Sequence, residues 1–272
     1  MLILAVTTLS LFTATGCGRS DSAVVTITGS TTMEPLTGFL ARTYREKNRA
    51  DIVITAGGSH NGIKALIDGS CTIADSSARI TASELERARE RGIVIREFRI
   101  ARGMIVPIVH PSNPVRNVTM RQLGRIYAGT LRNWKDLGGT GAIEATDRDE
   151  SSGTHDVWRR LVLRETPPGP GITAVASNSM VLARVAKNPG AIGYVEYAFL
   201  NTEVRALRVD GNDPAMAAEG KSSAYPLTRD LYLYTSDTCF NGETRKFIVF
   251  TLSREGQEAV RKAGFLPVGA AR

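Results

Sequence analysis

The feature that most constrains this chain is an alternation of two hydrophobic periods that runs almost to its end. Short apolar runs such as VVTIT at 24–28 and DIVITA at 51–56 have the composition of strands. Each leads, through a turn rich in glycine and hydroxyls, into a segment with the helical period. Residues 33–48 put Leu36, Phe39, Leu40 and Tyr44 on one helix face. Residues 61–70 form a short helix stopped by Gly69, and 81–92 form another, with Thr81 or Ser83 available as cap and Gly92 as stop. Strands are predicted at 93–98 and 103–111, a Thr119-capped helix at 118–129, and a strand, loop and helix over 141–163. A helix at 177–190, a strand at 191–197, a strand at 231–235 and one amphipathic helix over 244–264 complete the series. Such alternation predicts α/β layers with mostly parallel sheets, whose ligands sit where strand ends lead into helices.

Those positions hold the hydroxyl-rich turns. A helix start carries unpaired N–H groups and about half a positive charge, which suits an oxyanion. Ser and Thr add O–H donors without charge, and glycine lets the backbone come close. GSTT supplies Gly29, Ser30, Thr31 and Thr32, and GGSHNG supplies Ser59 among Gly57, Gly58 and Gly62. RDESSGT supplies Ser152, Gly153 and Thr154, with Arg148 near enough to turn its planar fork toward the same centre. A Ser or Thr at one helix start is ordinary capping. Several in one chain, each after a strand, predict one dry site enclosed from several sides.

The 272 residues are 42% hydrophobic, enough for one large domain or two of about 100–150 residues. The formal charge of +7 fits a generally basic surface or an acidic partner. No basic run interleaves with aromatics, so nucleic acid is not expected as a partner. Residues 2–12 are apolar but shorter than the roughly 20 residues that span a bilayer, and they have the length of a signal-peptide core. The following Thr-Ala-Thr-Gly-Cys resembles a bacterial lipobox, which implies a signal peptide at 1–16, a lipidated Cys17 and a tether over 17–23. No Lys or Arg precedes the apolar run, and a buried N-terminal strand is the alternative. Cys71 and Cys239 either form a disulfide or are small buried residues.

Taken in order, GSTTMEPL, GGSHNGIKALIDGSCTIADSSARI, NPVRNVTMRQLGRIYAGTLRNWKDLGG, DRDESSGTHDVW and SNSMVLARVAKNPGAIGYVEY resemble the phosphate-binding proteins of bacterial phosphate ABC transporters, the PstS family. The resemblance covers about residues 24–268. It implies a two-lobed, type II periplasmic-binding-protein fold, each lobe a mixed sheet flanked by helices, joined by two crossover strands. The expected lobes are 24–104 with 225–272, and 105–224, with hinges near 101–107 and 222–230. It further implies inorganic phosphate as ligand, ABC permease subunits as partners, a monomer anchored by lipid at the periplasmic or outer cell surface, and no catalysis or cofactor. The family's ligand turns map onto Ser30, Thr31, Thr32, Ser59, Arg148, Ser152, Gly153 and Thr154, with Ser77 as a neighbour. Two departures stand out. Relatives place arginine directly after the second serine of SSAR, where this chain has Ala78 and then Arg79, and Arg102 precedes Gly103 where relatives read Asp-Gly.

Monohydrogen phosphate donates a hydrogen bond that sulfate lacks, so a buried carboxylate acceptor would favour phosphate. Asp75 is the expected acceptor, with Asp147 and Glu150 next, or Asp75 merely caps a turn. Another tetrahedral oxyanion, sensing without transport, and a phosphate-ester hydrolase on a similar fold are the alternative functions.

Other motifs point elsewhere and carry less. AMAAEGKS at 215–222 fits a relaxed Walker A pattern but lacks the strand–loop–helix setting. Ser152, His155 and Asp156 lack a G-x-S-x-G elbow, and His155 is expected at the surface or cleft rim. His60, His110 and His155 show no metal-ligand spacing, so no metal is expected, and Trp134 and Trp158 are read as packing residues.

Overall fold

A computed structural model of the protein describes residues 24–222 and 225–269; the predicted signal peptide, Cys17 and the tether lie outside the described residues. The described chain opens with β1 (Val25–Gly29), α1 (Glu34–Arg45), β2 (Ile52–Ala56), α2 (Ser59–Ile67), β3 (Ile73–Ser76) and α3 (Ala82–Glu90). Strand β4 (Ile95–Val109) leads to β5 (Asn117–Val118), α4 (Met120–Tyr127), β6 (Glu144–Arg148) and α5 (Gly153–Trp158). Then come β7 (Thr173–Val175), α6 (Asn178–Lys187), β8 (Ala191–Glu196), β9 (Arg205–Ala206), β10 (Arg208–Val209) and α7 (Pro214–Ala218). The described chain closes with β11 (Thr228–Ser236), α8 (Gly242–Leu252), α9 (Arg254–Lys262) and β12 (Leu266–Pro267).

The strand order is β2-β1-β3-β11-β4-β8-β6-β7. Parallel triplets lie at the two ends, β2-β1-β3 and β8-β6-β7, and the antiparallel strands β11 and β4 run between them. The mixed α/β, two-lobed architecture that the resemblance implies is therefore present, whereas the mostly parallel pairing expected from the alternation holds only within the two triplets. The first lobe packs around Leu36, Leu40, Ile73, Leu231 and Phe247, the second around Val106, Leu123, Trp134, Trp158 and Tyr194. Both tryptophans are buried, and Trp158 stacks on Tyr194 at 4.0 Å. Thr81 and Thr119 each close a capping box, satisfying helix-start amides as their spacing predicts.

Two elements differ from the sequence reading. Residues 93–98 and 103–111 belong largely to one continuous 15-residue strand, β4, because the intervening RIAR contains no turn former. That strand pairs with β11 up to Met104 and with β8 from Ile105, so the two lobes share it. The single C-terminal helix expected over 244–264 is two helices. Ser253 adopts an extended conformation (φ −70, ψ 166), and its Oγ accepts from Gly256 N at 3.1 Å, starting α9 afresh. Cys71 is buried, and both it and Cys239 are free thiols.

Candidate anion-binding site

The loops after β1, β2, β3 and β6 meet in one buried cluster. Ser77 Oγ receives a hydrogen bond from Ser30 Oγ at 3.1 Å and lies 3.3 Å from Ser59 Oγ and 3.2 Å from Thr154 Oγ1. Thr154 Oγ1 is 3.0 Å from Thr32 Oγ1, which also accepts from Asn178 Nδ2 at 3.1 Å. All these residues are buried. Hydroxyls predicted from separate turns thus form one connected cluster. Glycine makes the approach possible. A Cβ on Gly58, whose φ is +108, would stand 2.3 Å from Ser151 Oγ, and one on Gly153 would stand 2.7 Å from Ser59 Oγ.

Arg148 ends β6 with its guanidinium beside this cluster. Nη2 donates to Thr31 Oγ1 at 2.9 Å and to Ala176 O at 2.8 Å, while Nε donates to Val175 O at 3.2 Å. Nη1 is buried with no hydrogen-bond partner among the described residues. An unsatisfied buried donor costs about 1–3 kcal/mol, more when charged, so this atom is poised for an acceptor. Burial lowers the Arg148 pKa from its ordinary value, yet a guanidinium stays protonated.

Asp147 orders the base of this arm. Its Oδ1 accepts from Arg148 N at 2.7 Å, from the Tyr194 hydroxyl, and faces His155 Nδ1 at 3.1 Å. His155 is accordingly buried, not at the rim as its sequence position suggested. Burial lowers its pKa, but the hydrogen bond and charge of Asp147 outweigh that and raise it. Ser152 Oγ caps α5 by accepting from His155 N at 3.4 Å.

Asp75, expected as an acceptor for the ligand, turns its Oδ1 to Ser30 N at 2.6 Å. It stands behind the GSTT turn and fixes the backbone that presents the hydroxyls. Burial pushes its carboxyl up to about 7. Glu150 is exposed, and Arg79 pairs with Glu97 at the surface, 3.0 Å away, outside the cluster.

A second arginine enters where none was predicted. Arg229 of β11 donates from Nη2 to Thr154 Oγ1 at 3.1 Å and from Nε to Ser77 O at 3.0 Å. Its Nη1 lies 2.8 Å from Glu196 Oε2. The sequence did hold a signal: Arg229 shares a strand face with Leu231 and Leu233, an anomalous place for a cation. Glu196 is likewise the charged end of an otherwise apolar buried strand. Asn178 was also missed, and as an ordinary polar residue at a helix start it gave no distinguishing sign. Among the described residues no group of three or more His, Cys, Asp or Glu side chains could hold a metal.

Hydroxyls, an amide side chain and two guanidinia, one of them paired with Glu196, therefore converge in a buried setting, chemistry suited to holding a tetrahedral oxyanion without reacting with it. Residues 18–255 match the family described as a PBP superfamily domain. The phosphate-binding protein PstS of Bacillus subtilis is 32% identical over 91% of this chain and 81% of its own length. PstS of Borreliella burgdorferi is 27% identical over 93% of each chain. A crystal structure of a putative phosphate ABC transporter substrate-binding protein from Clostridium perfringens, with bound phosphate, superposes with a TM-score of 0.81 at 29% identity, covering 90% of this chain and 99% of that one. An ABC-type phosphate transport receptor from Vibrio cholerae gives a TM-score of 0.71 at 26% identity, covering 90% and 100%. Each of these relatives is described as a binding or transport protein. With its two lobes, its shared strand and its match over most of its length, the chain belongs to the PBP superfamily and, within it, to the PstS-type phosphate-binding proteins.

Proposed function

We propose that this protein captures inorganic phosphate between its lobes and delivers it to an ABC permease, outside the cytoplasm and anchored through a lipid on Cys17. The observation that carries the reading is Arg148 Nη1, a buried charged donor with no partner among the described residues, beside a cluster of hydroxyls from both lobes. In this reading Arg148 and the Ser30–Thr32, Ser59 and Ser152–Thr154 turns hold the anion, with Ser77 and Arg229 completing the enclosure. Asp75 supports the first turn from behind. The named activities of the relatives support phosphate as the guest.

The chemistry is capture without bond making. Donors converging from two lobes reward closure, because each hydrogen bond to the anion strengthens as water leaves. The lobes move as bodies about β4 and β11, which connect them. Serine and threonine hydroxyls both donate and accept, so they can meet the protonated oxygen of monohydrogen phosphate as well as its bare ones.

Calorimetry with phosphate, sulfate and a phosphate ester, alongside an assay for ester turnover, tests the proposal. Phosphate binding without turnover supports it. Preference for sulfate would reassign the ligand, and turnover would make the protein a hydrolase.

A further inference from the structure

Just behind the anion loops the two lobes are joined by a second kind of contact. His60 follows Ser59, and Asp156 lies two residues past Thr154 in the facing lobe. His60 Nε2 is 2.7 Å from Asp156 Oδ2, and His60 Nδ1 is 2.7 Å from Glu84 Oε1 of its own lobe. Beside them His60 N donates to Ser151 O at 3.2 Å, again across the lobes. Glu84 is fixed in place: its other oxygen closes the capping box on Thr81, and its side chain is only 3% exposed. The His60 and Asp156 side chains are 27% and 28% exposed, so their contact is half-buried.

A neutral imidazole has one N–H and one lone pair. It would satisfy one carboxylate and aim the lone pair at the other. With a carboxylate oxygen at each ring nitrogen, this geometry requires the imidazolium. The charged groups acting on His60 are Asp156 from α5 and Glu84 from α3, and from the loop before α5 it meets the Ser151 carbonyl.

We propose that His60 sets the affinity for phosphate from outside the anion shell, its imidazolium latching the lobes together so that closure takes up a proton wherever the open form leaves His60 neutral. The inference rests on the capture reading above. In the closed arrangement the hydrogen bond to Asp156, then that to Glu84, raises His60 to about 10. Opening withdraws Asp156 and leaves Glu84, so the open form holds the proton less tightly. The latch is then fully present below the open-form pKa and is lost as pH rises through about 10. Phosphate affinity should fall across that window, beyond the change due to the anion's own ionisation.

The test is calorimetry of phosphate binding to the full chain, to His60→Gln and to Asp156→Asn, from about pH 6 to about pH 9.5, in buffers of different ionisation heat. Both variants should bind about tenfold more weakly at neutral pH, the loss of one charge-assisted hydrogen bond, chiefly through faster release. Both should also lose the proton uptake that the parent shows beyond the anion's own. Titration of the His60 ring by NMR should show its pKa rising when phosphate is added. Equal affinity and equal proton uptake in parent and His60→Gln overturn the latch alone. Absence of phosphate binding by the parent overturns the capture reading and the latch together.

Discussion

Arg229 and Glu196 form an ion pair 2.8 Å long that passes over β4 at Gly103. A Cβ on Gly103 would stand 2.5 Å from the Glu196 carboxylate, so only a bare backbone leaves room for the pair. Both side chains are nearly sealed from solvent, at 3% and 1% exposure. Removing one partner strands a buried charge, at a cost of about 3–5 kcal/mol. Arg229→Met and Glu196→Gln should each destabilise strongly, and the double variant by clearly less than their sum. Denaturant unfolding of all four chains checks this, and additive effects would refute the pairing.

Arg148→Ala should weaken phosphate binding about 100-fold or more, since a buried charged donor contributes roughly 1.5–3 kcal/mol per hydrogen bond. Arg148→Lys should recover little of the loss. A point charge cannot serve Thr31, Val175, Ala176 and a ligand at once as the planar fork does. Calorimetry at fixed salt reads both; full recovery by lysine would mean that charge alone matters.

The Asp75 carboxyl, ordinarily near 3.8, is pushed up to about 7 by burial. The folded chain therefore holds that proton more tightly than the unfolded chain. The associated stability is complete below about pH 4 and is lost as pH rises through about 7. Asp75→Asn removes this dependence while keeping an acceptor for Ser30 N. The stability of the variant relative to the parent should grow over that interval and level off above it, as measured by unfolding at several pH values. The ratio of phosphate to sulfate affinity should stay unchanged in the variant, because the carboxylate faces the turn.

Gly153→Ala should leave the fold intact and impair closure. Its Cβ would meet Ser59 Oγ at 2.7 Å and the Ala78 amide at 2.8 Å, and the latter cannot rotate away. An affinity loss of at least about tenfold is expected, in keeping with the sensitivity of bound geometry to small displacements. Small-angle scattering with saturating phosphate should find the variant less compact than the parent.

Most of the fold was legible because hydrophobic period and capping chemistry are local. Thr81 and Thr119 announce helix starts in the sequence, and the strand ends carry their hydroxyls openly. The turns at Ser30, Ser59 and Thr154 could be singled out for the same reason, and the structure brings them together. What escaped depends on distant partners. Arg229 means little until Glu196 and Thr154 are placed beside it, and β4 reads as two strands until both of its neighbours are known. Asp75 was read by residue type, and the hydrogen bond that its Oδ1 takes from Ser30 N follows from β3 lying beside β1.

Strand β4 also bears on how such a molecule can be taken apart. It gives one stretch of backbone to each lobe, and its ladder partner changes from β11 to β8 between Met104 and Ile105, so a cut there would leave both ladders in place and remove only the covalent link between them. Chimeras made by exchanging halves between relatives therefore have a natural joint within β4, provided that β11, which ladders along its first stretch, travels with that half.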